Sequence, residues 1–384
     1  MSDTTIYLDH AAATPLDERV LETMQPYLTE LFYNPSSPYQ PAVAVRRAYE
    51  DAKDRIAHCI GAKGGELIMT AGATESINLA FSGISGHVVT SNIEHDAVLR
   101  AAARHDVTYV PSDVHGRVSA EAVRAALRAD TELVSIQLAN NELGTIQPIR
   151  DIAAVVREVR TKRRETGETT PIFLHVDASQ GVGYVDVNVA RLGADLLTIN
   201  SGKIYGPKQL GLLWTDRSVA IEPQIVGGGQ ERGLRSGTEN VAGTVGFARA
   251  MELVTATQKS ESKRIASLRE TAEKALVAAF PDAVLSGHRK HRLPNFLHIS
   301  FPGIDAERLV FALESQGVLV ATGSACAANK GTRSHVLTAI GLEPDVADGS
   351  LRLTFGHLST DENTARAVKY IIEAVTREQD RTRR

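Results

Sequence analysis

The chain of 384 residues, 43% hydrophobic and 23% charged, is long enough to bury a large core and to divide into a large and a smaller domain. Its 42 basic and 46 acidic residues give a net charge of −4 and are interspersed, with no basic stripe interleaved with aromatics, which argues against nucleic acid as a direct partner. No apolar run approaches the roughly 18 residues of a membrane span, and the N-terminal MSDTTIYLDHAAATPL has no basic start or long apolar segment; with Cys59 and Cys326 too few for a disulfide framework, a reducing, cytoplasmic location is expected.

In chain order, Ile6 to Pro15 is a short apolar start followed by DHAAATP, too turn-like for a long helix and expected to cross between domains. NPSS at Asn34 to Ser37 is a loop. From Val45 the apolar residues Val45, Ala48, Tyr49, Ala52, Ile56, Cys59 and Ile60 recur at helical spacing, and Gly61 marks the stop. Cys59 lies on that apolar face and reads as packing. ELIMT followed by AGATESINLAF reads as strand, small-residue turn and helix start, where unpaired backbone N–H groups favour an anion and Thr74 adds a hydroxyl; a plain N-cap by Thr74 is the competing reading.

Strand-like runs at 88–90, 107–110, 133–138, 172–176 and 196–199 then alternate with helical runs at 119–127 and 149–160, which predicts a mostly parallel sheet covered on both faces. TKRRETGETT, from Thr161 to Thr170, reads as a solvated insertion. The glycine-rich GGGQERGLRSGTEN lacks the dinucleotide-binding spacing because Arg232 stands where the last glycine would be. A helical pattern from Gly243 to Phe280 carries the domain boundary, placed so that 15–255 form the large domain and 1–14 with 256–384 the small one. The small domain has strand-like runs at 296–300, 318–321 and 351–355, a helix at 306–316, and Ser359 with Glu362 as a capping box for the last helix.

In an open α/β sheet the ligand lies at the carboxyl ends of the strands. The residues there are Thr70 to Thr74, Glu94 and His95, Asn140 to Glu142, Asp177 to Gln180, and Asn200 to Lys203. Lys203 follows the buried-strand pattern DLLTI and precedes the Gly206-Pro207 turn, so it is either a loop lysine at the surface or a half-buried, imine-forming nucleophile. Its companions favour the second reading, with pyridoxal phosphate as the aldehyde. Asp177 is placed to keep the ring nitrogen protonated, Gln180 and Asn141 to reach the phenolic oxygen, and His95 to stack and shuttle protons. Ala73, Thr74, Asn200, Ser201 and Thr238 are the phosphate-donor candidates. Arg352, in LRLTF, either clamps an amino acid's carboxylate or pairs with a surface acid. Cys326 sits among Ala, Gly, Ser and Asn, as an accessible loop thiol would.

Taken together, DHAAATP, NPSS, GATES, EH with AV, NNELG, HVDASQ, KIYGPK, RSGTEN, GSAC with SHVL, and LRLTF occur in one order along nearly the whole chain. This ordered set resembles the cysteine desulfurases, pyridoxal-phosphate enzymes of the class V aminotransferase family. The resemblance implies an α/β transferase of fold type I, with a mainly parallel seven-stranded sheet in the large domain and an α+β C-terminal domain. It implies a homodimer in which the RSGT loop completes the partner's site, L-cysteine as substrate, and a sulfur-acceptor protein. Lys203 would be the Schiff-base lysine, Asp177 the pyridinium partner and His95 the stacking residue. Thr74, Asn141 and Gln180 would touch the cofactor, and Thr238 the other subunit's phosphate. Asn34 and Arg352 would hold the substrate carboxylate, and Cys326 would accept the sulfur.

The chain also departs from the family pattern. Gly202 stands where a histidine is usual, Asn200 and Ser201 replace a serine and a glycine, and Tyr39 replaces the histidine that commonly follows NPSS. Ala327 and Ala328 replace more polar residues, and His357 a common arginine. An aminotransferase of the same fold would keep Lys203, Asp177 and Arg352 but need no thiol. Selenocysteine lyase activity would fit the same motifs, and a non-catalytic sulfur-handling scaffold would fit the altered segment around Gly202.

Overall fold

The computed structural model describes residues 5–323 and 333–382. Cys326, Ala327 and Ala328 lie outside the described residues. The short strand β1 (Ile6–Tyr7) opens the chain. A seven-stranded sheet follows, made of β2 (Leu67–Thr70), β3 (His87–Ser91), β4 (Val107–Val110), β5 (Thr131–Gln137), β6 (Phe173–Asp177), β7 (Leu196–Asn200) and β8 (Gly211–Thr215), in the order β2-β8-β7-β6-β5-β3-β4. All pairings are parallel except those of β8, which runs antiparallel to both β2 and β7. The strands are short runs of Leu, Ile and Val because helices cover both faces and leave no side to water.

A second sheet, with β9 (Val284–Ser286), β10 (Phe296–Ser300), β12 (Ala321–Thr322) and β13 (Ser350–Thr354), is antiparallel in the order β12-β13-β10-β9. Between them in sequence, β11 (Val318–Leu319) pairs in parallel with β1. The 39-residue helix Val241–Ala279 runs unbroken from one unit to the other. Up to Val254 its buried side chains join the core of the large sheet, and from Ile265 they join the core beneath the small one.

The opening segment does cross between the units. Its strand pairs with β11, Asp9 bridges to Thr354, and Thr14 reaches the carbonyl of Gly202 through both its N–H (3.2 Å) and its hydroxyl (3.1 Å).

Three local expectations change. The solvated insertion at 161–170 is in its first part the end of the helix Ile149–Thr166, closed by Gly167 at φ 77°. Arg163 on that last turn is only 4% exposed and donates to the carbonyls of Arg128, Ala129, Thr131, Thr170 and Pro171. Charge alone is a poor guide to exposure where a guanidinium can satisfy loop carbonyls. The last helix, Asp361–Thr382, is capped by a reciprocal pair between Thr360 and Asn363, while Ser359 instead accepts from the N–H of Gly356. The helix Glu18–Thr29 has no counterpart in the sequence pattern, because Pro26 interrupts it and only Val20 is buried.

The glycine-rich stretch is tied down at one point. Glu231 and Lys53, whose side chains are each 5% exposed, lie 3.0 Å apart. The Glu231 carboxylate also accepts from Tyr49 and from the N–H of Met69 at 2.8 Å. These bonds hold Glu231 and Arg232 in left-handed backbone at φ 48° and 60°, which costs non-glycine residues roughly 1–2 kcal/mol each. Removing one partner leaves a buried charge uncompensated, so Glu231→Ala is expected to lower the unfolding free energy by about 3–5 kcal/mol in urea titrations. A loss below about 1 kcal/mol would show that the ion pair anchors nothing.

Candidate active site

The carboxyl ends of the strands surround a cavity of about 760 Å³. Ala73 and Thr74 line it from the start of the helix Ala73–Phe81, His95 from the turn after β3, and Asp177 and Gln180 from the end of β6. Asn200 ends β7 and Lys203 follows it, Asn141 follows β5, and Arg352 enters from β13 of the small sheet.

Lys203 ends a single 3-10 turn that continues β7, and its Nζ donates to the carbonyls of Ala11 at 2.8 Å and Ala12 at 2.7 Å. The loop beyond it is held in an uncommon shape, with Tyr205 at φ 63° and Gln209 at φ 55°. The Tyr205 ring stacks on His357 at 3.7 Å, its hydroxyl accepts from the N–H of His357, and its own N–H donates to Thr14 Oγ1. His357, at a departure from the family pattern, thus braces the lysine loop.

Asp177 is 8% exposed, and its Oδ1 accepts from Ser179 through N–H at 3.0 Å and hydroxyl at 2.6 Å. Beside it, burial pushes the Glu94 carboxyl up to about 8, against the pull of Ser91 and the Gln137 N–H, with the charge of Asp177 adding to the rise. Burial likewise pushes His175 down to about 4, with Ser135 and Thr198 hydroxyls on its two ring nitrogens. Both neighbours of Asp177 are therefore largely uncharged at neutral pH. His95 caps the helix Asp96–Ala102 by accepting the Ala97 N–H on Nδ1 at 3.1 Å, which leaves the ring proton on Nε2.

Arg352 is 3% exposed and donates to Asp9 at 2.6 Å and to the carbonyl of Asn141 at 2.9 Å, while its buried Nε has no hydrogen-bond partner among the described residues. The acid it meets is one of the crossing segment rather than of the surface. His298, opposite Arg352 in the sheet, is pushed down to about 3 by burial and then by the arginine's charge.

Glu142 also lines the cavity, and burial raises its carboxyl to about 7. Ser334 donates to it at 2.5 Å while capping the helix His335–Ala339, and His335 Nε2 donates to the carbonyl of Glu94 at 3.0 Å. These contacts tie the start of the helix His335–Ala339 to the wall of the cavity.

Not every expected residue arrives there. Ser201 is fully buried with its hydroxyl unpartnered among the described residues, packed toward Gly206, and does not line the cavity. As a phosphate donor it is corrected, because the 3-10 turn sends Asn200 and Lys203 to the cavity and Ser201 inward. Asn34 closes its own turn by accepting the Ser36 N–H at 2.9 Å and lines neither this cavity nor its neighbour. Thr238 lies exposed on the glycine-rich loop, also away from this chain's cavity. Sequence reasoning gives no role to Asp9, Glu142 or Lys208; the DHAAATP motif, which faces Lys203, is the signal that could have found Asp9.

The donor set suits an aldehyde cofactor with a phosphate. An amine, a carboxylate and an imidazole border one cavity, and Ala73 and Thr74 at a helix start face a second hollow of about 640 Å³ that shares Asn200 and Lys203. Groups of three or more side chains able to hold a metal ion are absent among the described residues, and no described helix is long and apolar enough to cross a membrane.

Residues 6–366 match the family described as aminotransferase class-V. Cysteine desulfurase IscS 1 of Archaeoglobus fulgidus is 40% identical over 383 residues, covering 97% of each chain. A solved NifS-like protein superposes with a TM-score of 0.88 at 34% identity, covering 97% of this chain and 99% of its own. Another, SspA in complex with cysteine, gives a TM-score of 0.78 at 33% identity, covering 91% and 99%. The chain belongs to the aminotransferase class-V family and, with its cysteine desulfurase relatives, is pyridoxal-phosphate dependent. Within that family it falls among the cysteine desulfurases.

The raised carboxyl of Glu94 makes a pH prediction. The folded state keeps a proton that the unfolded chain releases above about 4.5, so the stability gained from neutral Glu94 is complete below that pH and is lost as pH rises through about 8. In urea titrations of the cofactor-free protein, Glu94→Gln is therefore expected to gain on the wild type steadily from pH 5 to pH 8.5. A constant difference over that range would mean the buried carboxyl does not titrate.

Proposed function

We propose that the protein takes sulfur from L-cysteine, releases L-alanine, and carries the sulfur as a persulfide on Cys326 to an acceptor protein, in iron–sulfur cluster assembly or tRNA thiolation. The observation that carries this reading is the meeting of Lys203, Asp177, His95 and Arg352 around one cavity at the strand ends. Pyridoxal 5′-phosphate, held there by Lys203, Asp177, His95, Gln180, Asn141 and the start of the helix Ala73–Phe81, supplies an aldehyde that condenses with amines and a ring that accepts electrons from the amino acid's Cα.

The chain's own groups divide the remaining work. Arg352, which borders the cavity and is held by Asp9 and the Asn141 carbonyl, takes the substrate carboxylate. Lys203, drawn away from the carbonyls of Ala11 and Ala12, moves the Cα proton. Asp177, backed by uncharged neighbours, holds the proton on the ring nitrogen, and His95 offers Nε2 as donor. The Cys326 thiolate attacks the substrate sulfur. A sulfur–sulfur bond forms, the carbon–sulfur bond breaks, and its electron pair stays with Cβ, which takes up a proton to become the methyl group of alanine.

Asn34 has no part in this chain's own carboxylate site. Thr238 enters the reading through a homodimer, where the loop anchored at Glu231 would meet the partner's phosphate. A thiol that must cycle through a persulfide needs a reducing compartment, which supports a cytoplasmic location.

The test is turnover of L-cysteine with a reductant, reading alanine and sulfide together. Cys326→Ser is expected to lose sulfide release by on the order of 100-fold or more while the cofactor's near-visible absorbance persists. Lys203→Ala is expected to lose both that absorbance and turnover. Undiminished sulfide release by Cys326→Ser would remove the persulfide, and production of a 2-oxo acid without sulfide would move the assignment to an aminotransferase.

A further inference from the structure

The second hollow beside Lys203 is bordered by Gly72, Ala73 and Thr74, and across from them by Asn200, Gly202 and Lys208. A Cβ on Gly202 would meet Cδ of Lys208 at 3.1 Å and Oδ1 of Asn200 at 3.4 Å, so the lysine stem occupies the space that a side chain at 202 would take. Asn200 Oδ1 is engaged by the N–H of Gly202 at 3.0 Å, so its amide NH₂ is the group it can offer an anion. The Lys208 ammonium donates to the carbonyl of Thr14, and an ammonium has two further N–H bonds to give. Glu75, the acidic residue on the same hollow, is paired with Arg235 at 2.9 Å and accepts the Ala71 N–H at 2.7 Å. Ser201, the other side chain expected to donate here, is turned into the fold.

We propose that Lys208 is a phosphate-binding residue of this chain: with the helix start at Ala73 and Thr74 and the amide of Asn200, it receives the 5′-phosphate of the cofactor in the second hollow, its stem taking the volume that Gly202 leaves open. This rests on the cofactor reading above and adds to it a role for the last lysine of the KIYGPK stretch. A larger residue at 202 would have to share that volume with the stem. Burial alone lowers the pKa of Lys208, and a bound dianion opposes that effect.

Phosphate and ring can be separated by titrating the cofactor-free protein with pyridoxal 5′-phosphate and, in parallel, with pyridoxal, following near-visible absorbance. For Lys208→Met the expected result is a loss of roughly tenfold or more in affinity for the phosphate ester with little change for pyridoxal. Lys208→Arg, which keeps the charge, is expected to retain most of the difference between the two aldehydes, and adding a side chain by Gly202→Leu to reduce it. Equal losses for both aldehydes in Lys208→Met would overturn the proposal, since Lys208 would then act only by holding the Thr14 carbonyl; so would unchanged affinity for the phosphate ester. If the wild type shows no Lys203-dependent absorbance with either aldehyde, the cofactor reading fails first and takes this assignment with it.

Discussion

The structure depends on how one amine is held at the end of β7. Lys203 Nζ donates to two consecutive carbonyls, at Ala11 and Ala12, that belong to a segment whose beginning pairs with the small sheet's neighbour β11. Backbone carbonyls can hold an ammonium without supplying a negative charge of their own, so these two contacts orient the amine by hydrogen bonds. The same segment puts Asp9 on Arg352, a few residues before the contact of Ala12 with Lys203. Lysine and arginine come from different sheets, and this short crossing fixes their separation.

Around that arrangement the buried titratable groups are mostly silenced. Glu94 and Glu142 are raised toward neutrality, while His175, His298 and His10 are pushed down to about 4, about 3 and about 4, all chiefly by burial. Burial wins against the donors to the two carboxyls, Ser91 and the Gln137 N–H on Glu94 and Ser334 on Glu142, while His175 and His10 have hydrogen-bond partners in the fold; both ring nitrogens of His298 lack a partner among the described residues. A site lined by many ionised groups would spread its field over all of them. With these groups quieted, Lys203, Asp177 and Arg352 are the residues bordering the cavity that the proposed chemistry assigns to cofactor and substrate.

Much of this is legible in the sequence because α/β folding puts chemistry at predictable places. The alternation of short apolar runs with helical ones gives the parallel sheet, and the residues that end β3, β5, β6 and β7 are the ones the cavity gathers. Strand β8 escapes a reading of the sequence because GLLWT follows the turn directly and runs against its neighbours, where a crossover rhythm gives no hint. Ser201 is misplaced by such a reading because a 3-10 turn rotates successive side chains by about 120°, and no pattern shows where such a turn replaces extended chain. Arg163 shows the same limit for charge, since its five carbonyl partners come from the chain around the start of β5 and the loop before β6.

The pairing of Arg352 with Asp9 bears on how a substrate would be chosen. A guanidinium 3% exposed with no anion beside it would carry a desolvation cost of several kcal/mol, so Asp9 keeps the cation paired before any ligand arrives. An incoming carboxylate meets a nitrogen already shared with Asp9, a second nitrogen bonded to the Asn141 carbonyl, and an Nε without a partner among the described residues. It must share the two bonded nitrogens, so the net attraction is smaller than for an unpaired arginine. In the proposed reading, the crossing segment between the sheets therefore sets both the charge that a carboxylate meets at Arg352 and the place of Lys203.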